Sequence, residues 1–266
     1  MVSGIELFNL KGKRALITGS SQGIGFALAK GLSSAGAEIV LNGRDKAKLD
    51  KSAKELNSEC GLFQLSFDVT NQKKMENFIK KIKPKIIIHA AAISRPMDLH
   101  RKKIEKSINT NIIGTSNIVN LCYKYKIKLI YFSTNYVYPS RNGNYKEHNS
   151  LLPFNNYAWS KLGGECAVRM YKNSLILRIC MTEKPFAYKY AYTNLKTNFM
   201  FHEDLAKVFS KLMNKKGIIN VGGPVQSVYN FAKRNNKKIK KKILKKTKNS
   251  LPFNSTMNIE KFKRIL

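Results

Sequence analysis

Two side chains in the middle of the sequence have the chemistry of a proton-transfer pair. Tyr157 and Lys161 lie four residues apart in the segment YAWSK, and on a helix this spacing places both on one face. A free tyrosine, with a pKa of about 10, exchanges protons poorly at neutral pH, but a neighbouring ammonium stabilises its phenolate. The alternative is an ordinary amphipathic helix with a half-buried tyrosine. We favour catalysis because the pair follows a strand, downstream of a glycine-rich turn.

Hydroxyl groups at the end of the preceding strand could complete this site. Ser133 and Thr134 follow the apolar run KLIYF, and the carboxyl ends of strands in a doubly wound sheet open onto the ligand crevice. We expect Thr134 to be catalytic and Ser133 to support it on the substrate side. The alternative for both is a strand cap. Tyr136 is a further substrate-side candidate that could stack on a sugar or base, or only pack.

A glycine-rich turn near the N-terminus has the features of a dinucleotide site. In TGSSQGIG, Gly19 allows a sharp turn, Gly23 lets the backbone approach a pyrophosphate, and Gly25 lets the helix pack closely. The following helix start offers free N–H groups to the phosphates. The cofactor-binding residues predicted from this segment are Gly19, Ser21, Gln22, Gly23, Ile24 and Gly25.

The end of the second strand indicates which dinucleotide is bound. An NAD site usually has an acidic residue there for the ribose 2′-hydroxyl, whereas this strand ends in Leu-Asn-Gly-Arg. Arg44 could pair with a 2′-phosphate, and Asn42 lies beside it. Alternatively, Arg44 is a solvated residue opening a helix capped by Asp45. We therefore predict NADP, with NAD as the less favoured cofactor.

The elements that would position these residues alternate between strands and helices, as in βαβ units of a parallel sheet. The sequence thus predicts an α/β, Rossmann-type doubly wound sheet with a small, reduced C-terminal substrate-binding part. The predicted strands are 14–18, 37–41, 62–67, 85–90, 128–133, 175–179 and 217–221. The predicted helices are 24–35, 46–56, 72–82, 104–125, 157–171 and 201–213.

The N-terminal part resembles the classical short-chain dehydrogenases, and the span Leu7–Leu56 is especially similar to gluconate 5-dehydrogenase-type members. TGSSQGIG followed by LNGR carries the resemblance. It implies that Asp68 and Val69 meet the adenine. It also implies that the turn Ala90-Ala91-Ala92 lines the cofactor, and that Lys161 binds the nicotinamide ribose.

From about residue 83 the chain resembles the extended, nucleotide-sugar branch of the same superfamily, such as the dTDP-4-dehydrorhamnose reductases. The segments STNYVYP, NIIGT, HEDLA and NVGG carry this resemblance. It implies that Thr134 is the catalytic hydroxyl, that Asn111 orients Lys161, and that Arg178 belongs to the substrate region. Only 23 residues separate Arg178 from His202, which leaves little chain for a substrate domain.

Together the resemblances imply an NADP-dependent reductase of a keto group, on a nucleotide-linked sugar. Three alternatives stay open: a reductase of a free sugar acid, a non-catalytic subunit that binds NADP or a sugar nucleotide, and a nucleic-acid binder. Relatives often dimerise through the two long helices, so a homodimer is one expected state.

The composition of the chain argues against several other classes of protein. The chain has 266 residues, four cysteines and a formal charge of +33. No apolar run reaches the ~20 residues of a membrane span, and no secretory signal is apparent. We therefore expect a cytoplasmic protein without a disulfide framework or a metal site. Lysines are spread along most of the chain, so a nucleic-acid partner is not favoured. We expect a cofactor and catalytic domain at 1–230 and a partly ordered, Lys-rich tail at 231–266.

Overall fold

A parallel β-sheet forms the centre of the protein, which the computed structural model describes over residues 9–59, 61–245 and 253–266. The strand order is β11-β6-β5-β4-β1-β2-β3, and every neighbouring pair is parallel. From β1, the chain adds strands first toward one edge of the sheet and then, from β4, toward the other. Open α/β sheets bind ligands at such a point of reversal. The strands are β1 (Arg14–Thr18), β2 (Glu38–Gly43), β3 (Leu62–Ser66), β4 (Ile86–His89), β5 (Lys128–Thr134), β6 (Ser174–Ile179) and β11 (Gly217–Val221).

The central strands are apolar on both faces because helices cover both sides of the sheet. Ile17 and Leu41 belong to one core cluster, whereas Leu16 and Val40 belong to the other. Consecutive residues therefore point into opposite cores, as the two-residue period of a strand requires.

Helices from separate parts of the chain cover the two faces. Helices α1, α2, α8 and α10 contribute to the first cluster, and α3, α6 and α7 to the second. The helices are α1 (Gly23–Ser34), α2 (Lys46–Leu56), α3 (Gln72–Ile82), α4 (Leu99–Lys102), α5 (Ile104–Ser107), α6 (Gly114–Lys124), α7 (Asn156–Arg169), α8 (His202–Val208), α9 (Val228–Asn235) and α10 (Glu260–Lys263).

The long helix predicted over 104–125 is interrupted by a change of winding. A π-helical segment, Ile108–Ile113, lies between α5 and α6. Such single-turn widenings are rare in helices and occur frequently at functional sites. Here the segment contains Asn111, whose side chain is fully buried.

A small lobe with its own core lies beside the main sheet. Its apolar cluster includes Phe186, Leu195, Phe201 and Phe231. The lobe is built largely from short strands, which are β7 (Met181–Thr182), β8 (Tyr190–Tyr192), β9 (Lys196–Thr197), β10 (Met200–Phe201), β12 (Gln226–Ser227) and β13 (Lys240–Lys242). The expected boundary between residues 230 and 231 was wrong, because it falls inside α9, where Phe231 packs into this core.

Residues 253–266 return to the main body of the protein. Met257 and Phe262 are buried in the first core cluster, and Asn135 donates hydrogen bonds from Nδ2 to the carbonyl and hydroxyl oxygens of Ser255, at 3.1 and 3.0 Å. This segment therefore supports the loop that follows β5. Residues 246–252 of the predicted Lys-rich tail lie outside the described residues.

Two further expectations concern thiols and membranes. Cys122, Cys166 and Cys180 are free, and Cys60 lies outside the described part. Across the described ranges, no helix combines the length and apolar character needed to cross a bilayer, and no cluster of metal-ligating side chains is found.

Candidate active site

The glycine-rich turn between β1 and α1 has the geometry that a phosphate site needs. Gly19 and Gly23 have positive φ angles of 66° and 60°. A Cβ on Gly25 would lie 2.5 Å from the Gly19 carbonyl oxygen, whereas one on Gly23 would meet nothing within 4 Å. The helix is thus packed tightly against the turn while Gly23 faces open space. The cap residue Gln22 makes no side-chain capping bond, so the first N–H groups of α1 remain available to an anion.

The end of β2 holds an exposed guanidinium. Arg44 pairs with Asp68 at 3.4 Å, so these two predicted cofactor residues lie together beside the turn. Asp45 caps α2 by accepting a hydrogen bond from the Lys48 N–H. Asn42, also predicted to bind the cofactor, is buried, and its side-chain amide donates to the carbonyls of Leu65 and Phe67.

Tyr157 and Thr134 are brought together at the carboxyl end of β5. Tyr157 lies in the first turn of α7, which Asn155 caps through the Ala158 N–H. The Thr134 hydroxyl lies close enough to the phenol of Tyr157 to lower its pKa. Burial has the larger effect and raises the pKa of Tyr157 to about 12, opposed by Thr134 and by the charge of Arg95. The phenol is therefore protonated at neutral pH.

Lys161 lies one turn further along α7 and is buried. Its ammonium nitrogen is 4.2 Å from the centroid of the Tyr131 ring. Burial lowers the pKa of Lys161 to about 7, and the carboxylate of Glu165 opposes this shift. The amine therefore changes its charge near physiological pH.

Asn111 connects the turn after β4 to α7. Its amide exchanges two hydrogen bonds with the backbone of Ile93, at 2.8 and 2.9 Å, and donates a third to the hydroxyl of Ser160 at 2.9 Å. The described contacts thus join Asn111 to the neighbour of Lys161. The turn Ala90-Ala91-Ala92 approaches β1, where the Ala91 N–H donates to the Thr18 hydroxyl.

Two residues predicted to meet the substrate belong instead to a buried network. Arg178 is 1% exposed and forms an ion pair of 2.5 Å with Glu165. It also donates to the Tyr138 hydroxyl and the Glu147 carbonyl. The Ser133 hydroxyl donates to Glu165 at 2.7 Å. The substrate prediction for Arg178 and Ser133 was wrong because both side chains are used to neutralise and hydrogen-bond this buried carboxylate.

Two histidines flank the site. His89 is buried and bridges the hydroxyls of Thr18 and Thr115 at 2.7 and 3.0 Å. Burial and the charge of Lys161 lower the pKa of His89 to about 3. His100, which sequence reasoning missed, packs its ring 5.1 Å from that of Tyr157. Nothing in its spacing distinguishes it from a surface residue of a polar helix.

The entrance of the site is lined by aromatic and charged side chains. Tyr136 is half-buried and packs edge-on against Phe154. Arg95, which sequence reasoning also missed, pairs with Glu183 at 2.5 Å. A groove of about 940 Å³ runs along α1 between α2 and α8 and reaches Gln22, Gly23 and Glu183. The groove therefore connects with the site at its phosphate end.

The assembled geometry suits proton transfer to an oxygen atom. A protonated phenol lies beside a second hydroxyl, an amine that titrates near neutrality lies a turn away, and an open glycine turn lies at the same sheet edge. Two such hydroxyls can polarise a carbonyl and stabilise a developing alkoxide. The arrangement is suited to the reduction of a carbonyl group.

Comparison with known proteins defines the class. Residues 13–200 match the family described as the RmlD substrate binding domain. This match covers more than half of the chain, which therefore belongs to that family, within the short-chain dehydrogenase/reductase superfamily.

Individual relatives resemble different parts of the chain. Gluconate 5-dehydrogenase from Gluconobacter oxydans is 40% identical over 143 residues, covering 44% of this chain and 56% of the relative. A hypothetical dTDP-4-dehydrorhamnose reductase from Sulfolobus tokodaii has a similar structure, with a TM-score of 0.80 and 25% identity, over 95% of this chain and 94% of the other. The dTDP-4-dehydrorhamnose reductase of Bacillus anthracis, solved with NADP, has a TM-score of 0.74 and 22% identity, over 95% and 91%. The chain spans about half the length of the curated relatives it matches.

Proposed function

We propose that this protein is an NADP-dependent reductase of a keto group on a nucleotide-linked sugar. The observation that carries the proposal is that Thr134 and Tyr157 lie together at the carboxyl end of β5, with Lys161 one turn further along the helix of Tyr157. The family match and the similarity to dTDP-4-dehydrorhamnose reductases support the substrate class. The Bacillus anthracis structure with NADP supports the cofactor.

The residues present fit a dinucleotide. The space beside Gly23, the uncapped start of α1 and the absence of an acidic side chain at the end of β2 suit a pyrophosphate and a 2′-phosphate. We propose that Gly19–Gly25, Arg44, Asp68, Val69 and Ala90–Ala92 hold the cofactor, with Lys161 at the ribose. When bound, NADPH would supply the hydride.

The chain's own residues would handle the proton. Tyr157 and Thr134 would donate hydrogen bonds to the substrate carbonyl, and Tyr157 would transfer its proton as the oxygen gains negative charge. Lys161 in its ammonium form would stabilise the resulting phenolate. Asn111 would fix the turn that carries Ile93 and so hold α7 in register with it.

Substitution of the phenol tests this function. Tyr157→Phe should lower kcat for reduction of dTDP-4-dehydrorhamnose by about 10²–10⁴-fold, because the proton donor is lost. NADPH oxidation at 340 nm measures turnover, and fluorescence titration should find NADPH binding unchanged. Unchanged turnover would refute the assignment. NADPH binding without turnover in the unsubstituted protein would favour the non-catalytic alternative.

We also propose that the protein forms a homodimer through α6 and α7. Tyr123, Trp159 and Met170 are large apolar side chains that these helices and their ends leave exposed. Burial of such residues against a second copy would remove apolar surface from water. Sedimentation equilibrium should give twice the 30.3 kDa mass of the chain, and Met170→Glu should shift it to the monomer.

A further inference from the structure

Arg95 lies close to the candidate site, since its charge acts on the phenol of Tyr157. It lies in the turn after β4, two residues beyond Ile93, whose N–H and carbonyl are both bonded to the buried amide of Asn111. These hydrogen bonds anchor the backbone just before Arg95. Its side chain is 51% exposed, so a ligand entering the site can reach it.

The surroundings of Arg95 join the two lobes. The Arg95 Nη1 donates to Glu183 Oε1 at 2.5 Å, and Glu183 directly follows β7 of the small lobe. The guanidinium carbon lies 5.8 Å from the centroid of the Tyr188 ring. The positive charge also acts on the phenols of Tyr136 and Tyr157, whose pKa values it lowers against the larger raising effect of burial. A cation thus lies within electrostatic range of the proposed proton donor.

The described hydrogen bonding leaves most of the guanidinium available. Of its five N–H donors, the described contacts use one, toward Glu183. A planar guanidinium can bind a carboxylate or phosphate through two parallel hydrogen bonds. Glu183 contacts Arg95 through a single oxygen atom, and its side chain is 36% exposed. Another anion could therefore replace it at Arg95 without leaving a buried charge unpaired.

We propose that Arg95 is a specificity-determining residue that binds an anionic oxygen group, a phosphoryl or a carboxylate, on the carbonyl substrate. Glu183 occupies this position in the free protein and is displaced when the substrate binds. The inference rests on the proposed function and adds to it a preference: a substrate that carries a negative charge binds better than a neutral one. Since Glu183 competes with that charge, it weakens binding of every anionic substrate.

The charges around this position support an exchange of anions. Arg95 supplies the positive charge at this position, and Glu183 and Glu203 supply negative charge nearby. With Glu183 paired to Arg95, an incoming carboxylate replaces another carboxylate. A doubly charged phosphoryl group would gain more, because its charge is larger. The net charge of +33 favours the approach of anions from solution.

The test uses the full chain and a pair of substitutions with opposite expected effects. Reduction of dTDP-4-dehydrorhamnose, 5-ketogluconate and the neutral ketose L-sorbose is followed by NADPH oxidation. Arg95→Gln should raise KM for the anionic probes by about 10- to 100-fold, with kcat changed far less. Glu183→Gln should lower KM for the same probes by about 3- to 10-fold, because the competitor loses its charge. Both changes should affect KM for L-sorbose far less than KM for the anionic probes.

Control variants separate recognition from folding. Arg169→Gln removes the same charge at the other end of α7, where Arg169 is exposed, and should leave KM unchanged. Arg95→Lys keeps the charge and should give an intermediate KM, which loss of folding would not produce. Calorimetric titration with dTDP and with D-gluconate measures anion binding without turnover.

The outcomes distinguish the inference from the proposed function. If an anionic probe is reduced and its KM is the same in Arg95→Gln, the inference is overturned while the function stands. If no probe is reduced but dTDP or gluconate binds in an Arg95-dependent way, the inference stands and the reductase proposal fails. If no anionic probe is either reduced or bound by the unsubstituted protein, both are overturned.

Discussion

At the scale of single residues, the candidate site depends on groups whose charge is changed by burial. Lys161 and Tyr157 lie on one helix, yet burial moves the pKa of the amine down to about 7 and that of the phenol up to about 12. Both shifts favour the neutral forms. In the free protein Tyr157 is therefore a neutral phenol, and Lys161 is partly neutral near pH 7. An anionic ligand next to Lys161 would favour its ammonium form.

The buried Lys161 should make the free energy of unfolding depend on pH. Its pKa is about 10.5 in the unfolded chain and about 7 in the folded one, so unfolding takes up a proton between these values and stability rises with pH there. Lys161→Met removes this titration. The variant should be more stable than the unsubstituted protein by a few kcal/mol below pH ~7, and the difference should shrink toward pH ~10.5. Urea unfolding at several pH values measures it.

A matched substitution controls this measurement. Lys54 is exposed near the end of α2, and Lys54→Met should give the same small change at every pH. A difference for Lys161→Met that did not vary with pH would contradict the burial of a titrating amine.

Arg44 predicts the choice of dinucleotide. Its guanidinium is 61% exposed and shares only a 3.4 Å contact with Asp68, so a 2′-phosphate could bind it. Arg44→Ala should weaken NADPH binding by about 10- to 100-fold and leave NADH binding nearly unchanged. Fluorescence titration measures both affinities, with Lys54→Ala as the charge-matched control. Equal weakening of NADPH and NADH would mean that Arg44 does not bind the 2′-phosphate.

At the scale of elements, the regular helices and strands of the main sheet could be predicted from sequence. The bounds of β1, α2, α3 and β11 agree with the structure, because the chain there alternates between apolar runs and amphipathic helices with clear caps, such as Asp45 before α2. The π-helical winding around Asn111 could not be predicted. It depends on side chains from other elements, and the sequence of that segment reads as an ordinary helix.

The failures at this scale share one physical reason. Arg178 lies within an apolar strand and was interpreted as a site residue, but its role depends on Glu165, whose approach is set by how α7 packs on β6. The two-residue strands of the small lobe have too few residues for a period to be recognised. Arg95 and His100 approach Tyr157 only through the fold of the turn after β4, so the sequence offered no signal for either.

The glycine turn allows a prediction that separates folding from binding. In Gly25→Ala the new Cβ would lie 2.5 and 2.9 Å from backbone atoms of Gly19 and Ser20, which cannot move aside without displacing the turn. We expect a loss of about 1–3 kcal/mol in the free energy of unfolding, together with loss of NADPH binding. Urea unfolding and fluorescence titration measure these two effects.

Gly23→Ala is the matched variant. Its Cβ would enter open space, but the φ of +60° is unfavourable for alanine, so the fold should lose only about 1 kcal/mol. NADPH binding should still fall, because the methyl group would occupy the space next to the backbone. If NADPH binds Gly23→Ala normally, the pyrophosphate does not lie against this turn.

At the scale of the whole molecule, distant parts of the chain are tied together beneath the site. The ion pair of Arg178 and Glu165 joins β6 to α7, and its hydrogen bonds extend to Ser133 on β5 and to Tyr138. Breaking such a buried pair leaves an uncompensated charge. The network therefore makes the position of α7, and hence of Tyr157 and Lys161, a property of the complete sheet.

The segment 253–266 predicts a similar dependence on the whole chain. Phe262 is 1% exposed in the core shared by the main sheet. Phe262→Ala should cost about 3–5 kcal/mol, a large part of the ~5–15 kcal/mol that stabilises a typical domain. The urea midpoint measures the loss, and Lys263→Ala on the same helix, where the side chain is exposed, should stay within about 0.5 kcal/mol. Equal effects would mean that this helix does not pack in the core.

The hydrogen bonds from Asn135 to Ser255 also constrain how the protein is made. These residues are 120 positions apart, and a ribosome adding ~5–20 residues per second needs roughly 6–24 s to cover that distance. Until Ser255 has been translated, the loop after β5 lacks its hydrogen-bond partner. The neighbouring apolar surface also stays uncovered until Met257 and Phe262 are made. Biosynthesis therefore includes an interval in which the glycine turn, Thr134 and Tyr157 have been translated but the loop after β5 still lacks its C-terminal partner.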